Sequence, residues 1–498
     1  MIDLTLAQIA TIVGGELADI SAQDAEATRV TGTVEFDSRA VTPGGLFLAL
    51  PGARSDGHDF AAGAVAAGAA AVVAARPVGV PAIVVEPLAA AVDSGASVLE
   101  YDTDGSGAAV LDALARLATA VAAELVAGGL VIVGVTGSSG KTSTKDLLAA
   151  VLEPLGQVVA PPGSFNNELG HPWTVLRATT DTDYLVLEMS ARHPGNIAAL
   201  ARIAPPSIAV VLNVGTAHLG EFGSRAAIAA TKAELPQAVS ASGVVILNAD
   251  DNAVAAMAEV TEARVVRISR SPGADLWADD VVLDELARPR FTLHCPGGVV
   301  PVELAVHGDH QVSNALCAAA VALECGARLD QVADALAAAG PVSRHRMQVG
   351  TRSDGVTVIN DAYNANPDSM RAGLKALAWM AKSPGAGGAE RRRSWAVLGE
   401  MAELGEDAIA EHDSIGRLAV RLDVSRLVVV GTGRSLSAMH HGAVMEGSWG
   451  SEAVMLTDAD AALEFLRDEL RAGDVVLVKA SKSAGLADLA EALAGEPT

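Results

Sequence analysis

Cysteine is almost missing from this chain of 498 residues: Cys295, Cys317 and Cys325 are all it has. Their spacing suits neither a disulfide framework nor a zinc site, so a reduced, cytosolic protein is expected. A basic leader is missing too, since Met1-Ile2-Asp3-Leu4-Thr5 carries no cationic segment of the kind that opens a signal peptide. No uninterrupted apolar run is long enough for a membrane span. Half of the chain is hydrophobic, but much of that is alanine, and the richest stretch, 60–71, is broken by Gly63 and Gly68. It reads as helix followed by strand. Positive charge is in deficit: 35 Lys and Arg against 60 Asp and Glu leave a net charge of −25. That argues against a nucleic-acid partner, because phosphate backbones are held by basic surface. An anionic ligand would have to be met by local positive charge and metal. The one basic cluster, Arg391-Arg392-Arg393, follows a Gly-rich stretch from Lys382 to Gly388 and reads as a solvated loop.

Against these absences stands one strong motif. The β-branched run Val131 to Val135 reads as a buried parallel strand, and Thr136-Gly137-Ser138-Ser139-Gly140-Lys141-Thr142-Ser143 follows, opening a helix through Asp146, Leu147 and Leu148. This order makes a phosphate-binding loop. Backbone N–H groups of the turn and helix N-terminus face the anion, Lys141 reaches the terminal phosphates, and the Thr142 hydroxyl can ligate magnesium. The strict pattern asks for glycine at 135, where valine stands; Gly137 is the loop's free glycine.

The length calls for several domains. Residues 1–104 read as a small α/β domain, with Ser38 and Arg39 at a strand end and Asp56 and His58 in a polar loop before the Ala-rich helix. Linker composition at 102–107 marks the first boundary. Residues 105–340 read as a mostly parallel sheet around the phosphate loop, with strands at 184–188, 208–212 and 244–247, each an apolar run closed by a polar residue. Ligands of such sheets lie beyond the strands' carboxyl ends, which puts Glu188, Asn213 and Asn248 on the rim of the phosphate loop. Glu188 suits magnesium there. The amide-rich loop holding Asn166 and Asn167 can hydrogen-bond a polar substrate, and His218, in a loop after a strand, is a candidate metal or substrate contact. Lys232 by itself reads as a solvated helix lysine. Residues 341–498 read as a second doubly wound, Rossmann-like domain, with strands at 356–361, 394–398, 426–430 and 474–478. No G-x-G-x-x-G follows its first strand, so a dinucleotide cofactor is not expected.

Together these stretches resemble the Mur ligases, ATP-dependent amide-forming enzymes of peptidoglycan synthesis. The motifs that carry the resemblance span the chain: Asp37-Ser38-Arg39 with Asp56-Gly57-His58-Asp59-Phe60, Gly140-Lys141-Thr142, Ser164-Phe165-Asn166-Asn167, Glu188, His218 with Lys232, Asn314, His345-Arg346, and Tyr363-Asn364-Ala365-Asn366-Pro367. The last of these and Phe165-Asn166-Asn167 point to the group that joins D-alanyl-D-alanine to UDP-N-acetylmuramoyl-tripeptide. The resemblance also makes Val135 expected, since that group builds its loop around the glycine at 137.

What the resemblance implies is specific. The first domain would hold the uridine precursor, with Ser38, Arg39, Asp56 and His58 as substrate contacts, joined by Asn166 and Asn167 of the central domain. The central domain would bind ATP along 136–143, with Asn314 against the adenine. Thr142 and Glu188 would hold one magnesium ion and His218 a second, with Lys232 carbamylated into an anionic group. Arg346 and Asp361 would close over the nucleotide, and Tyr363, Asn364 and Asn366 would meet the dipeptide. The implied chemistry runs through an acyl phosphate, in a cytoplasmic monomer. Three positions depart from the type: Ser190 in place of glycine, Asn360 in place of aspartate, and Lys482 in place of arginine. A related ligase adding another amino acid, a folylpolyglutamate-type ligase and a nucleotide-dependent switch stay open as alternatives.

Overall fold

The computed structural model describes residues 1–88, 99–216, 219–382, 391–447 and 452–495. His218 and the stretch 383–390 lie outside the described residues. Three larger sheets organise the chain, matching the expected α/β architecture of three domains. The first has five strands between Glu16 and Val84, parallel except where Glu16–Ala18 runs against Ala82–Val84.

The central sheet has nine strands, with the phosphate-loop strand Val131–Thr136 between Tyr184–Glu188 and Ile208–Val211. All three run parallel. The register sets Glu188 opposite Val135 and Val211 opposite Thr136, so the acid emerges level with the start of the loop. Neighbouring side chains point to opposite faces, as the pleat requires: Ile132 joins the core on one side, Val133 and Val135 the core on the other. The helix Gln311–Glu324 covers that second face with an almost wholly buried surface. Beyond Arg264–Ser269 the sheet continues as an antiparallel meander, Leu276–Leu283, Pro289–Cys295 and Gly298–Glu303, which the sequence reading passes over. These strands cover only one face, so their burial alternates instead of running continuously apolar.

The stretch 102–107 folds as a helix start. Asp102 and Asp104 accept hydrogen bonds from the main-chain N–H groups of Ala108 (2.8 Å) and Ser106 (3.0 Å). The helix Ser106–Ala127 buries Leu114, Leu117 and Val121 in one cluster with Leu6 and Ile9 of the helix Leu6–Val13, Leu46 of the first sheet, and Leu185 and Leu187 of the central one.

The third sheet runs Gln348–Thr351, Thr357–Asn360, Val475–Lys479, Ser394–Leu398, Arg426–Val430, Ala453–Leu456, parallel except for the first, edge strand. Here the solvated-loop expectation for the arginine cluster fails. Arg392 donates to the Gly473 carbonyl and the Thr357 hydroxyl (both 2.6 Å), and Arg393 grips Asp474 at 2.6 and 2.9 Å. Buried Trp395 donates to the same carboxylate (3.0 Å). The guanidinium groups satisfy carbonyl and carboxylate oxygens where parallel strands begin, a need that composition does not reveal.

Candidate functional site

The phosphate loop is held open by a single amide. Asn213, just past its strand, accepts hydrogen bonds at Oδ1 from the N–H groups of Ser138 and Ser139, both 3.0 Å, and its Nδ2 donates to the Ser139 carbonyl (3.1 Å). Thr136 donates through its hydroxyl to the Met189 carbonyl (2.9 Å), tying the loop's first residue to the strand of Glu188. A Cβ at Gly137 would lie 2.9 Å from the Leu212 Cβ, which explains the glycine the loop keeps. Gly140, at φ +84°, starts the helix Lys141–Leu152 and packs against Asn314, whose side-chain oxygen is 2.9 Å from where a Cβ would stand. Lys141 turns back to donate to the Gly137 carbonyl (2.7 Å), and burial lowers its ammonium to about 8.

Beside the loop lie the groups expected to hold metal. Thr142 and Ser164 share a hydrogen bond of 2.6 Å between their hydroxyls. Glu188 is fully buried. Its Oε2 accepts from Asn166 Nδ2 (3.1 Å), while its Oε1 has no hydrogen-bond partner. Burial pushes this carboxyl above its ordinary range, against the opposing pull of Lys141, Lys145 and Arg346. Lys232 is no solvated helix lysine: it is 7% exposed, and burial, then the Lys141 charge, hold its amine well below the usual lysine range. The helix Arg225–Ala238 buries this face against the central sheet, which overrides the residue's usual preference for solvent. Asn167 accepts through its side chain from the Gly170 N–H (2.9 Å) as the next helix begins.

The third domain reaches over this site. Arg346 donates to Ser164 Oγ (3.1 Å) and Thr142 Oγ1 (3.4 Å), and its guanidinium stacks over the Tyr363 ring at 4.2 Å. Its neighbours His345 and Met347 adopt φ of +59° and +47°, a strained kink that pushes the arginine toward the loop. Asn366 donates to the Ser138 carbonyl (3.4 Å), and Asp368 accepts from the Thr216 N–H (3.3 Å). Asp361 forms a buried ion pair with Lys479, Nζ to Oδ2 2.6 Å, and Lys479 also donates to the carbonyl of Asn364 (3.0 Å). Sequence reasoning missed Ser343, Asp146 and the pair Arg192–Glu403 (2.8 Å), because each is one end of a contact between distant segments.

The phosphate loop forms the common wall of two cavities. One, of about 710 Å³, is lined by Ser139, Gly140, Asn213, Asn248, Asn314, Arg346, Asp361 and others. The second, of about 440 Å³, is lined by Ser138 to Ser143, Ser164, Asn166, Asn167, Ser190, Tyr363, Asn364, Asn366 and Lys482 among others. Ser38, Arg39, Asp56 and His58 line neither. Arg39 is spread over solvent and paired with Asp37 (2.7 Å). His58 is spent inside the first domain: Nδ1 lies 2.6 Å from Asp56, Nε2 accepts from the Ala75 N–H (3.0 Å), and Asp56 also takes Arg76 (2.8 Å). Both ring nitrogens brace the fold.

Three family models match in chain order: "Mur ligase family, catalytic domain" over residues 32–123, "Mur ligase middle domain" over 135–322, and "Mur ligase, glutamate ligase domain" over 345–482. The chain is 75% identical over 509 residues, covering 100% of itself and 99% of the relative, to the UDP-N-acetylmuramoyl-tripeptide–D-alanyl-D-alanine ligase of Mycobacterium tuberculosis (strain ATCC 25618 / H37Rv). It is 33% identical over 499 residues to the protein of the same name from Escherichia coli (strain K12), with 99% of each covered. Among solved structures it resembles a crystal structure of MurF from Acinetobacter baumannii, with a TM-score of 0.81, 28% identity and 99% of each chain covered. It also resembles the MurF ligase of Thermotoga maritima in complex with ADP, with a TM-score of 0.74, 27% identity, and 93% and 97% covered. Sharing three domains in this order and near-complete alignment with such relatives, the chain belongs to the Mur ligase family.

Proposed function

We propose that this protein is an ATP-dependent ligase that joins the amine of D-alanyl-D-alanine to a carboxylate of UDP-N-acetylmuramoyl-tripeptide in peptidoglycan precursor synthesis, releasing ADP and phosphate. The observation that carries the reading is the phosphate loop standing as one wall between two cavities, in a chain three-quarters identical along its length to a protein of that name. The larger cavity suits the nucleoside, with Asn314 beside the adenine, and the second suits the reacting carboxylate and the dipeptide, with Tyr363, Asn364 and Asn366 as its third-domain wall. The relatives above favour neither a different amino acid as acceptor nor a switch without turnover.

The residues fit magnesium. A fully buried carboxylate oxygen without a hydrogen-bond donor, Glu188 Oε1, is costly unless a cation meets it. Among the described residues no cluster of three or more His, Cys, Asp and Glu stands ready for a metal. Thr142 and Glu188 would hold one ion, and His218 with Lys232 a second; once bound, they offset charge on the phosphoryl oxygens. Lys232 fits carbamylation, in which a neutral amine adds to carbon dioxide and loses a proton, because burial lowers its pKa and so favours the neutral amine.

The chain's own groups then have defined tasks. The tripeptide carboxylate attacks the γ-phosphorus and ADP leaves; the neutral amine of the dipeptide then attacks the acyl carbon, phosphate leaves, and the nitrogen gives up a proton to solvent. Lys141 and Arg346 stabilise the negative charge gathered at the loop, where low dielectric strengthens both. Asn366, Asp368 and Arg346 hold the third domain over the loop and exclude water from the labile acyl phosphate. The enzyme works as a monomer on soluble cytoplasmic precursors. No helix among the described residues is long and apolar enough to cross a membrane.

An ADP-release assay with UDP-N-acetylmuramoyl-tripeptide, ATP and a panel of amines tests the reading. D-alanyl-D-alanine should stimulate release strongly and give a product of the amide's mass. Stimulation by another amine alone, or by none, overturns it.

A further inference from the structure

Ser190 lies two residues after Glu188, in the wall of the second cavity, and its hydrogen bonds do not run to the loop or to any charged group. All go to Asn166. The Ser190 main-chain N–H donates to the Asn166 carbonyl (3.1 Å), and the hydroxyl stands 3.0 Å from that carbonyl and 2.9 Å from the side-chain oxygen of Asn166. A primary amide has one accepting and one donating end. With its oxygen turned toward the Ser190 hydroxyl, Asn166 presents Nδ2 to Glu188 Oε2 at 3.1 Å. The opposite flip would set the amide oxygen against the Glu188 carboxylate, so the acid selects this flip, and the Ser190 hydroxyl anchors the amide's far end. One carboxylate oxygen is thereby taken and the other, Oε1, left bare in a buried site.

We propose that Ser190 is a positioning residue for the metal-holding carboxylate: by anchoring the Asn166 side chain it keeps Nδ2 on Oε2 of Glu188 and leaves Oε1 to the cation. This rests on the magnesium site read above. Without the hydroxyl the amide loses an anchoring hydrogen bond, its contact with Glu188 loosens, and the affinity for the cation drops. Partners that orient a metal ligand are typically worth about 10–100-fold in metal affinity. Ser190 acts one step further out, so about fivefold to tenfold is expected.

The test uses the full chain with ADP and Mn²⁺, with no muropeptide or dipeptide, and reads bound Mn²⁺ by electron paramagnetic resonance. Ser190→Ala should raise the Mn²⁺ dissociation constant by about fivefold to tenfold, and Ser190→Thr, which keeps a hydroxyl, should stay near wild type. In an Asn166→Ala background, Ser190→Ala should add nothing, because the step it acts through is gone. Equal Mn²⁺ affinity in wild type and Ser190→Ala, or fully additive effects in the double variant, overturns the proposal. Failure of the wild type to bind Mn²⁺ with ADP would instead overturn the metal site itself.

Discussion

Asp146, on the helix that opens at the phosphate loop, accepts both the main-chain N–H and the hydroxyl of Ser343, each at 3.1 Å. Lys145 pairs with Asp146 and donates to Ser343 Oγ (3.3 Å) and the Pro161 carbonyl (2.8 Å). Ser343 is buried and stands three residues before Arg346. The contact therefore bolts the entry of the third domain to the helix that opens at the phosphate loop. Losing hydrogen bonds to a charged group costs about 1.5–3 kcal/mol. Ser343→Ala should lower kcat/KM for ATP by roughly tenfold or more, and Ser343→Thr should recover most of it. Steady-state kinetics on the two variants decide the matter, with unchanged turnover in Ser343→Ala as the adverse result.

Lys141 should make nucleotide binding depend on pH. Burial holds its ammonium at about 8, below the ordinary 10.5, with Arg346 adding to the depression and Glu188 opposing it. Between those values the unfolded chain binds more protons than the folded one, so this group's contribution to stability rises with pH there, and its cost is fully present below about 8. Bound phosphates reverse the depression. ADP binding near pH 8 should therefore take up protons at this site, and affinity should fall as pH rises through that value. Calorimetry in buffers of different ionisation enthalpy should show more uptake in wild type than in Lys141→Arg, which stays charged throughout. Equal uptake would count against this assignment.

Lys232 should be irreplaceable by a shorter side chain. Lys232→Ala is expected to lose ligation by about 10²–10³-fold, the range for removing one preorganised electrostatic group. Short carboxylates such as acetate or formate should restore part of the rate by standing in for the carbamate. Stripping carbon dioxide from wild-type buffer should slow turnover. Full activity of the variant without additive would falsify the carbamate role.

The buried pair Asp361–Lys479 links the third domain's first parallel strand to its neighbour, and Asp361 also accepts the Met347 N–H (3.1 Å) beside Arg346. Lys479→Met leaves the Asp361 carboxylate buried and unmatched, at a cost of about 3–5 kcal/mol. Adding Asp361→Asn should recover much of that stability. Thermal unfolding of wild type, single and double variants measures it; a double variant less stable than the single shows that the pair is not the source of the loss.

Local chemistry was largely legible. The phosphate loop, Glu188 and the strands at 184–188, 394–398 and 426–430 follow from apolar runs closed by polar residues, and the structure has them at those positions. Such signals lie within a few consecutive residues, where backbone geometry alone dictates which groups face a ligand. The resemblance implies His58 as a substrate contact; the structure shows its ring joining Asp56 to the strand end at Ala75. Arg392 and Arg393 read as solvated and instead close the ends of strands.

What the amino-acid sequence determined by itself is the fold class, the nucleotide loop and the family. What only the tertiary structure decided is the state and partner of each polar group. The charge on Lys232 depends on a helix face buried against a distant sheet. The free oxygen of Glu188 depends on Asn166, and that amide on Ser190. The loop's place between two cavities depends on a domain that begins two hundred residues later. Burial and hydrogen-bond pairing are properties of three-dimensional neighbours, and residues that meet only after folding leave no pattern along the chain.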